Sequence, residues 1–165
     1  MPELNIYGLD FDFSSGWQAS KYDEWSYYRN QFAKQRDGLK AVDALAVSPE
    51  KWGYLIEVKD YRHRDSDKPS QLPQAVADKV LHTLAAMLPA RLLANDEKEQ
   101  AFAAAILDCQ KLQIVLHVEQ PRRHKAVVDI ADLKQQVRRL LRAIDPHVKV
   151  SCAAQMANLP WTVNL

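Results

Sequence analysis

Glycine and cysteine are scarce in this chain, and charge nearly balances. Four glycines in 165 residues leave no room for a P-loop or a G-x-G-x-x-G dinucleotide fingerprint. Cys109 and Cys152 stand alone, without a Cys-x-x-Cys pair. That excludes a disulfide scaffold or a thiolate zinc knuckle and fits a reduced, cytoplasmic setting. No apolar run approaches the roughly 20 residues of a membrane span. Met1-Pro2-Glu3-Leu4-Asn5 lacks the basic-then-apolar layout of a signal peptide. No membrane partner is expected. The net charge of +1 excludes a uniformly basic nucleic-acid coat. No Gly-x-Ser-x-Gly elbow supports a serine hydrolase.

What is present is α/β patterning. Leu4 to Phe13 alternates, with Leu9, Phe11 and Phe13 against Asp10 and Asp12, as a half-buried strand does. Tyr22 to Gln35 reads as a helix with Trp25, Tyr28 and Phe32 on one face and Gly38 as its stop. Its aromatic set, with Trp17, Tyr22 and Tyr27, is core before it is a base-stacking platform. Leu72 to Leu88 is a helix opening on Pro73 and ending at Pro89. An Ala-rich piece over 91–107 breaks near Asn95. Leu112 to Val118 is a strand. Asp129 caps a helix running to about Ile144, and Val148 to Ala153 is the last strand. The order β-α-β-β-α(α)-β-α-β predicts one domain over 1–165: a mixed central sheet with helices on both faces.

The chemistry sits between the first two helices. Lys40 to Val47 and Trp52 to Lys59 are apolar strands flanking a turn at Ser48-Pro49-Glu50-Lys51. Asp43, Glu57 and Lys59 interrupt them. Charges in apolar strands are costly unless paired, hydrated or metal-bound. Glu57 and Lys59 share a face, about 7 Å apart. Asp43 joins them only if the connection holds an odd number of residues; an even one puts it opposite Ile56, facing away. In the odd register, Asp43, Glu57 and the Val58 carbonyl could hold Mg²⁺ or Mn²⁺. Lys59 would then orient a water or stabilise phosphorane charge.

A helix, a hairpin with Asp on its first strand and Glu-x-Lys on its second, and a following helix resemble the PD-(D/E)xK nuclease superfamily over about 22–118. The resemblance implies a restriction endonuclease-like fold and metal-dependent phosphodiester hydrolysis. Asp43, Glu57 and Lys59 would be its catalytic set. Val42 stands where the motif has proline. An accessory acid from the preceding helix would be Glu24, with Asp23 behind it. An accessory glutamine from the following helix would be Gln74, with Gln71 in reserve. Arg62, Arg64 and Lys68 follow the site strand and are the expected phosphate contacts. DNA is the expected nucleic acid, and a homodimer is compatible.

Two rival readings stand beside it. One is a non-catalytic interaction protein of the same fold. The other is a zinc site built from His117-x-Glu119, completed by His82 or His124. Further basic clusters are Arg122-Arg123-His124-Lys125 and Arg138, Arg139 and Arg142. They would matter if they border one cleft.

Overall fold

A computed structural model describes residues 1–63 and 71–165. Five strands form the main sheet in the order β3 (Gln18–Ser20), β4 (Ala44–Val47), β5 (Trp52–Asp60), β6 (Lys111–Glu119) and β7 (Lys149–Ser151). β3, β4 and β5 pair antiparallel, whereas β5, β6 and β7 pair parallel. Helices α2 (Leu72–Leu93) and α3 (Glu97–Leu107) make the β5-to-β6 crossover, and α4 (Ile130–Leu141) makes the β6-to-β7 crossover. The mixed α/β sheet expected from the alternation of elements is present.

The expectation of helices on both faces is corrected. Odd positions of β5 (Leu55) pack with α2, α3, α4 and the aromatic segment in one core. Even positions (Tyr54, Ile56, Val58) pack against a second, three-stranded sheet. That sheet is β1 (Glu3–Ile6), β2 (Leu9–Asp12) and β8 (Thr162–Asn164), antiparallel throughout. The molecule is thus helices on sheet on sheet. Two sheets leave polar-out alternation only on the outer one, which is why Asp10 and Asp12 point away from Phe11.

Other elements shift for identifiable reasons. Leu4 to Phe13 is a hairpin, turned at Tyr7-Gly8 with φ of 54° and 83°. Both turn residues need positive φ, which matches the twist of the strands. The predicted helix over 22–35 is only α1 (Ser26–Asn30), with a 3₁₀ turn on each side. Aromatic residues are mediocre helix formers. Their burial at Tyr22, Trp25, Tyr27 and Phe32 sets the path instead. α2 runs through Pro89, because Ala86, Met87 and Ala90 around it are buried in the helical core. The break before α3 falls where expected, with the Asp96 carboxylate accepting from the Lys98 and Glu99 amides. Asp129 likewise caps α4 through the Asp132 amide. No helix among the described residues is long and apolar enough to cross a membrane.

Candidate active site

The β4–β5 turn decides where Asp43 goes. Val47 pairs with Gly53, so five residues, Ser48 to Trp52, make the connection. The Ser48 amide donates to the Trp52 carbonyl at 2.9 Å, and Lys51 takes a φ of 63° to close the loop. Three-residue loops ending in a left-handed residue are a standard hairpin solution. The odd count continues the register one step past Ala44–Ile56, and that step sets Asp43 opposite Glu57. Hydrogen-bonded pairs alternate with narrow ones along the hairpin. Counting back from Ser48–Trp52, Asp43–Glu57 is a narrow pair, with Cα atoms about 4.5 Å apart. The geometry the chemistry demands is met without a bulge.

Asp43 lies just before β4 and is held from three sides. α2 supplies the frame: His82 Nδ1 accepts from the Lys40 amide at 2.9 Å, and Thr83 Oγ1 accepts from the Val42 amide at 3.1 Å. The Val58 amide donates to Asp43 Oδ2 at 2.7 Å, past the last paired residue of β4. The Tyr7 hydroxyl donates to Oδ1 at 2.9 Å. A residue's N–H and C=O leave a strand on the same side. The Val58 carbonyl therefore faces the Asp43 side, where the sequence placed it as a metal ligand.

Glu57 is 1% exposed. Its Oε1 accepts from Lys79 Nζ at 2.5 Å and lies 3.5 Å from Lys59 Nζ. Its Oε2 is buried and has no hydrogen-bond partner among the described residues. Burial, reinforced by the Asp43 charge and opposed by the two lysines, pushes the Glu57 carboxyl up to about 7. Burial pulls the Lys79 ammonium down, but Glu57 and Asp43 outweigh it and hold its proton more tightly than usual. Burial and the Asp43 charge likewise raise the Tyr7 hydroxyl. The pair of carboxylates is therefore short of positive charge even with Lys79 and Lys59 beside it.

A hard divalent cation needs oxygen donors. Two opposed carboxylates, one of them with an orphaned buried oxygen, and the Val58 backbone supply that donor set. The residues fit Mg²⁺ or Mn²⁺. Among the described residues no three His, Cys, Asp or Glu side chains cluster as a metal cage. Such an ion would thus keep several waters, as Mg²⁺ commonly does.

The accessory expectations fare differently. Glu24 is exposed and paired with Lys21 at 2.8 Å, which lowers its carboxyl. It is Asp23 that feels the site's charge: burial and then the Asp43 charge raise its carboxyl, and its Oδ1 is buried without a partner among the described residues. Gln74 is exposed at the start of α2, in a groove with Asp129, Asp132 and Gln136 of the α4 end, and Gln71 lines the same groove. Lys79, five residues on, is what α2 contributes. Arg62 is clamped on Asp60, with Nε at 2.9 Å and Nη2 at 2.8 Å, and this pairing lowers the Asp60 carboxyl. Arg64 and Lys68 lie outside the described residues.

The sequence reading missed Lys79 and Tyr7. Lys79 borders the buried Val76, Val80 and Thr83 stripe, a place where a charge needs a partner. Tyr7-Gly8 between Ile6 and Leu9 is a hairpin signal. The zinc reading is corrected: both His117 ring nitrogens are taken, by Ser151 at 3.0 Å and Glu119 at 2.9 Å, and His82 is spent on Lys40. Among the described residues, Arg122 lines a cleft at the β6–β7 edge, and Arg138, Arg139 and Arg142 line a different one on α4.

No protein-family model matches the chain, and no solved structure matches it. It is 26% identical, over an alignment of 201 positions, to a cysteine–tRNA ligase of Neisseria meningitidis serogroup A. The alignment takes in 94% of this chain and 29% of the ligase. The chain therefore spans less than a third of the protein it matches.

Proposed function

We propose that this protein is a Mg²⁺- or Mn²⁺-dependent phosphodiesterase acting on nucleic acid, with Asp43, Glu57 and Lys59 at its centre. One observation carries the reading: two buried carboxylates oppose each other at a narrow strand pair, and Glu57 Oε2 has no partner among the described residues. A bound divalent ion would polarise the scissile phosphate and acidify a water. Asp43, Glu57 and the Val58 carbonyl would hold it. Lys79 fixes the Glu57 carboxylate through Oε1 and leaves Oε2 available. Tyr7 and the Val58 amide fix the Asp43 rotamer. The Lys59 side chain is 31% exposed, so its ammonium can meet an incoming phosphate while its stem stays anchored on β5. Its charge orients the attacking water or offsets charge that develops on phosphorus.

DNA is the proposed substrate. The stretch of a tRNA ligase to which the chain is similar makes RNA the second arm of the test. Supercoiled plasmid, linear duplex, single-stranded DNA, branched DNA and tRNA are incubated with Mn²⁺ and wild type or Lys59→Ala protein. Cleavage by wild type and a loss of roughly 100-fold or more in Lys59→Ala, with unchanged thermal stability, is the expected outcome. Equal cleavage by both proteins would remove Lys59 from the mechanism. No cleavage by either, together with no Mn²⁺-dependent rise in Tm, would favour a non-catalytic interaction protein built on the same fold.

A further inference from the structure

A second site lies one strand over. His117 is fully buried on β6, and burial outweighs Glu119 in keeping its ring proton affinity low, so the ring is neutral. A carboxylate only accepts, so His117 Nε2–H donates to Glu119 Oε1 at 2.9 Å. Nδ1 then accepts the Ser151 hydroxyl at 3.0 Å. Oε1 also takes the Ala153 amide at 2.6 Å. Two donors thus converge on one oxygen of Glu119. Glu119 is 6% exposed, and its other oxygen makes no hydrogen bond among the described residues. Glu119 lines a cleft of about 540 Å³. That size suits a small organic ligand.

The walls of this cleft specify the ligand. Val118, Ile130 and Val150 are apolar. Arg122 is exposed at its margin and makes no ion pair among the described residues. A ligand that fits carries a hydrogen-bond donor, an apolar body and an anionic group. β5 and β6 run parallel, with Lys59 beside Val118 and Asp60 beside Glu119. The cleft therefore opens at the same carboxyl end of the sheet as the acidic pair, the end where open α/β sheets bind ligands.

We propose that this cleft binds a nucleotide whose base carries an exocyclic amino group, with Glu119 accepting from that group and Arg122 meeting the phosphate. The proposal rests on the nuclease reading and names a base-recognising subsite for the same substrate. Adenine, cytosine and guanine present an amino donor. Uracil presents one ring N–H between two carbonyls, which a carboxylate repels.

Cys152 lines the cleft and reports its occupancy. Cys109 sits against Gly53 at the far end of the sheet and is the internal control. Iodoacetamide labelling is followed in EDTA with millimolar AMP, CMP, GMP, UMP or free arginine. AMP, CMP and GMP should slow Cys152 labelling by roughly fivefold or more, with UMP and arginine near no effect and Cys109 unchanged. Glu119→Gln should weaken protection about tenfold, since charge-assisted hydrogen bonds are the stronger class. Should that variant fail to fold, Ala154→Trp, on the exposed rim, should block the cleft and abolish protection. Equal protection by UMP, protection by arginine alone, or no protection by any nucleotide would overturn the proposal. The assay contains no metal, so the two readings fail separately. Protection without cleavage would sink the nuclease, and cleavage without protection would sink the subsite.

Discussion

Glu57 is the residue on which the acidic pair turns. Its carboxyl is raised from the ordinary carboxylate value of 4.5 to about 7 by burial and by Asp43. Between those two values the folded chain holds a proton that the unfolded chain has lost. Stability without metal is therefore highest near pH 5 and falls as pH rises through 7. Thermal melts in EDTA from pH 5 to 8 should show this decline in wild type and a flatter profile in Glu57→Gln. A rising Tm for wild type over that range would refute the raised carboxyl. On the proposed metal role, addition of Mn²⁺ should reverse the trend, because an ion held by the ionised pair would stabilise the fold by mass action. Proximity of Glu57 and Lys59 was legible from strand alternation. The Lys79 contact was not, because it joins β5 to a helix 22 residues further on.

At the scale of elements, α2 is the frame for the first half of the site. Thr83 and His82 tie the approach to β4, and Lys79 ties Glu57. Thr83→Val keeps the volume but leaves the buried Val42 amide unpaired, at a cost of about 1–3 kcal/mol. We expect a lower denaturation midpoint and weaker Mn²⁺ binding together. A stability loss with unchanged metal affinity would show that α2 supports the fold but not Asp43. α3 does the same for the aromatic segment. Glu99, which is buried, accepts from the Ser26 and Tyr27 amides at 3.1 and 2.9 Å and so caps α1 from across the chain. Glu99→Ala should cost about 2 kcal/mol, read by urea denaturation. It should also loosen Asp23, which precedes that cap by three residues. This contact explains why one predicted helix became a five-residue helix between 3₁₀ turns: the cap comes from a distant helix, with no local signal.

For the whole molecule, the outer sheet is the unexpected layer. Phe13, Trp17, Tyr54 and Trp161 stack at centroid distances of 5.1 to 6.0 Å and join the two sheets. Trp161 is 4% exposed, so Trp161→Ala should cost about 3–5 kcal/mol. Because this core lies on the sheet face away from Glu57 and Lys59, Mn²⁺ affinity of the folded variant should stay near wild type. Isothermal titration well below the melting temperature checks this, and a large affinity loss would mean the two cores are coupled through β5. The same layer delivers Tyr7 to Asp43, so the hairpin that covers the sheet also finishes the site.

The amino-acid sequence by itself determined what depends on near neighbours: the β4–β5 hairpin, the Asp96 and Asp129 caps, and the shared face of Glu57 and Lys59, while the odd register of the β4–β5 turn was read only from the structure. Those follow from periodicities of two and 3.6 and from turn chemistry, which act over a few residues. Only the tertiary structure decided that β8 joins the first hairpin, that Asp23 rather than Glu24 feels the Asp43 charge, that Lys79 pairs with Glu57 and that Tyr7 donates to Asp43. The hydrogen bonds among these contacts join residues 22 to 152 positions apart. They are selected by burial: an ionised carboxylate out of water must find its partners wherever the packed chain brings them.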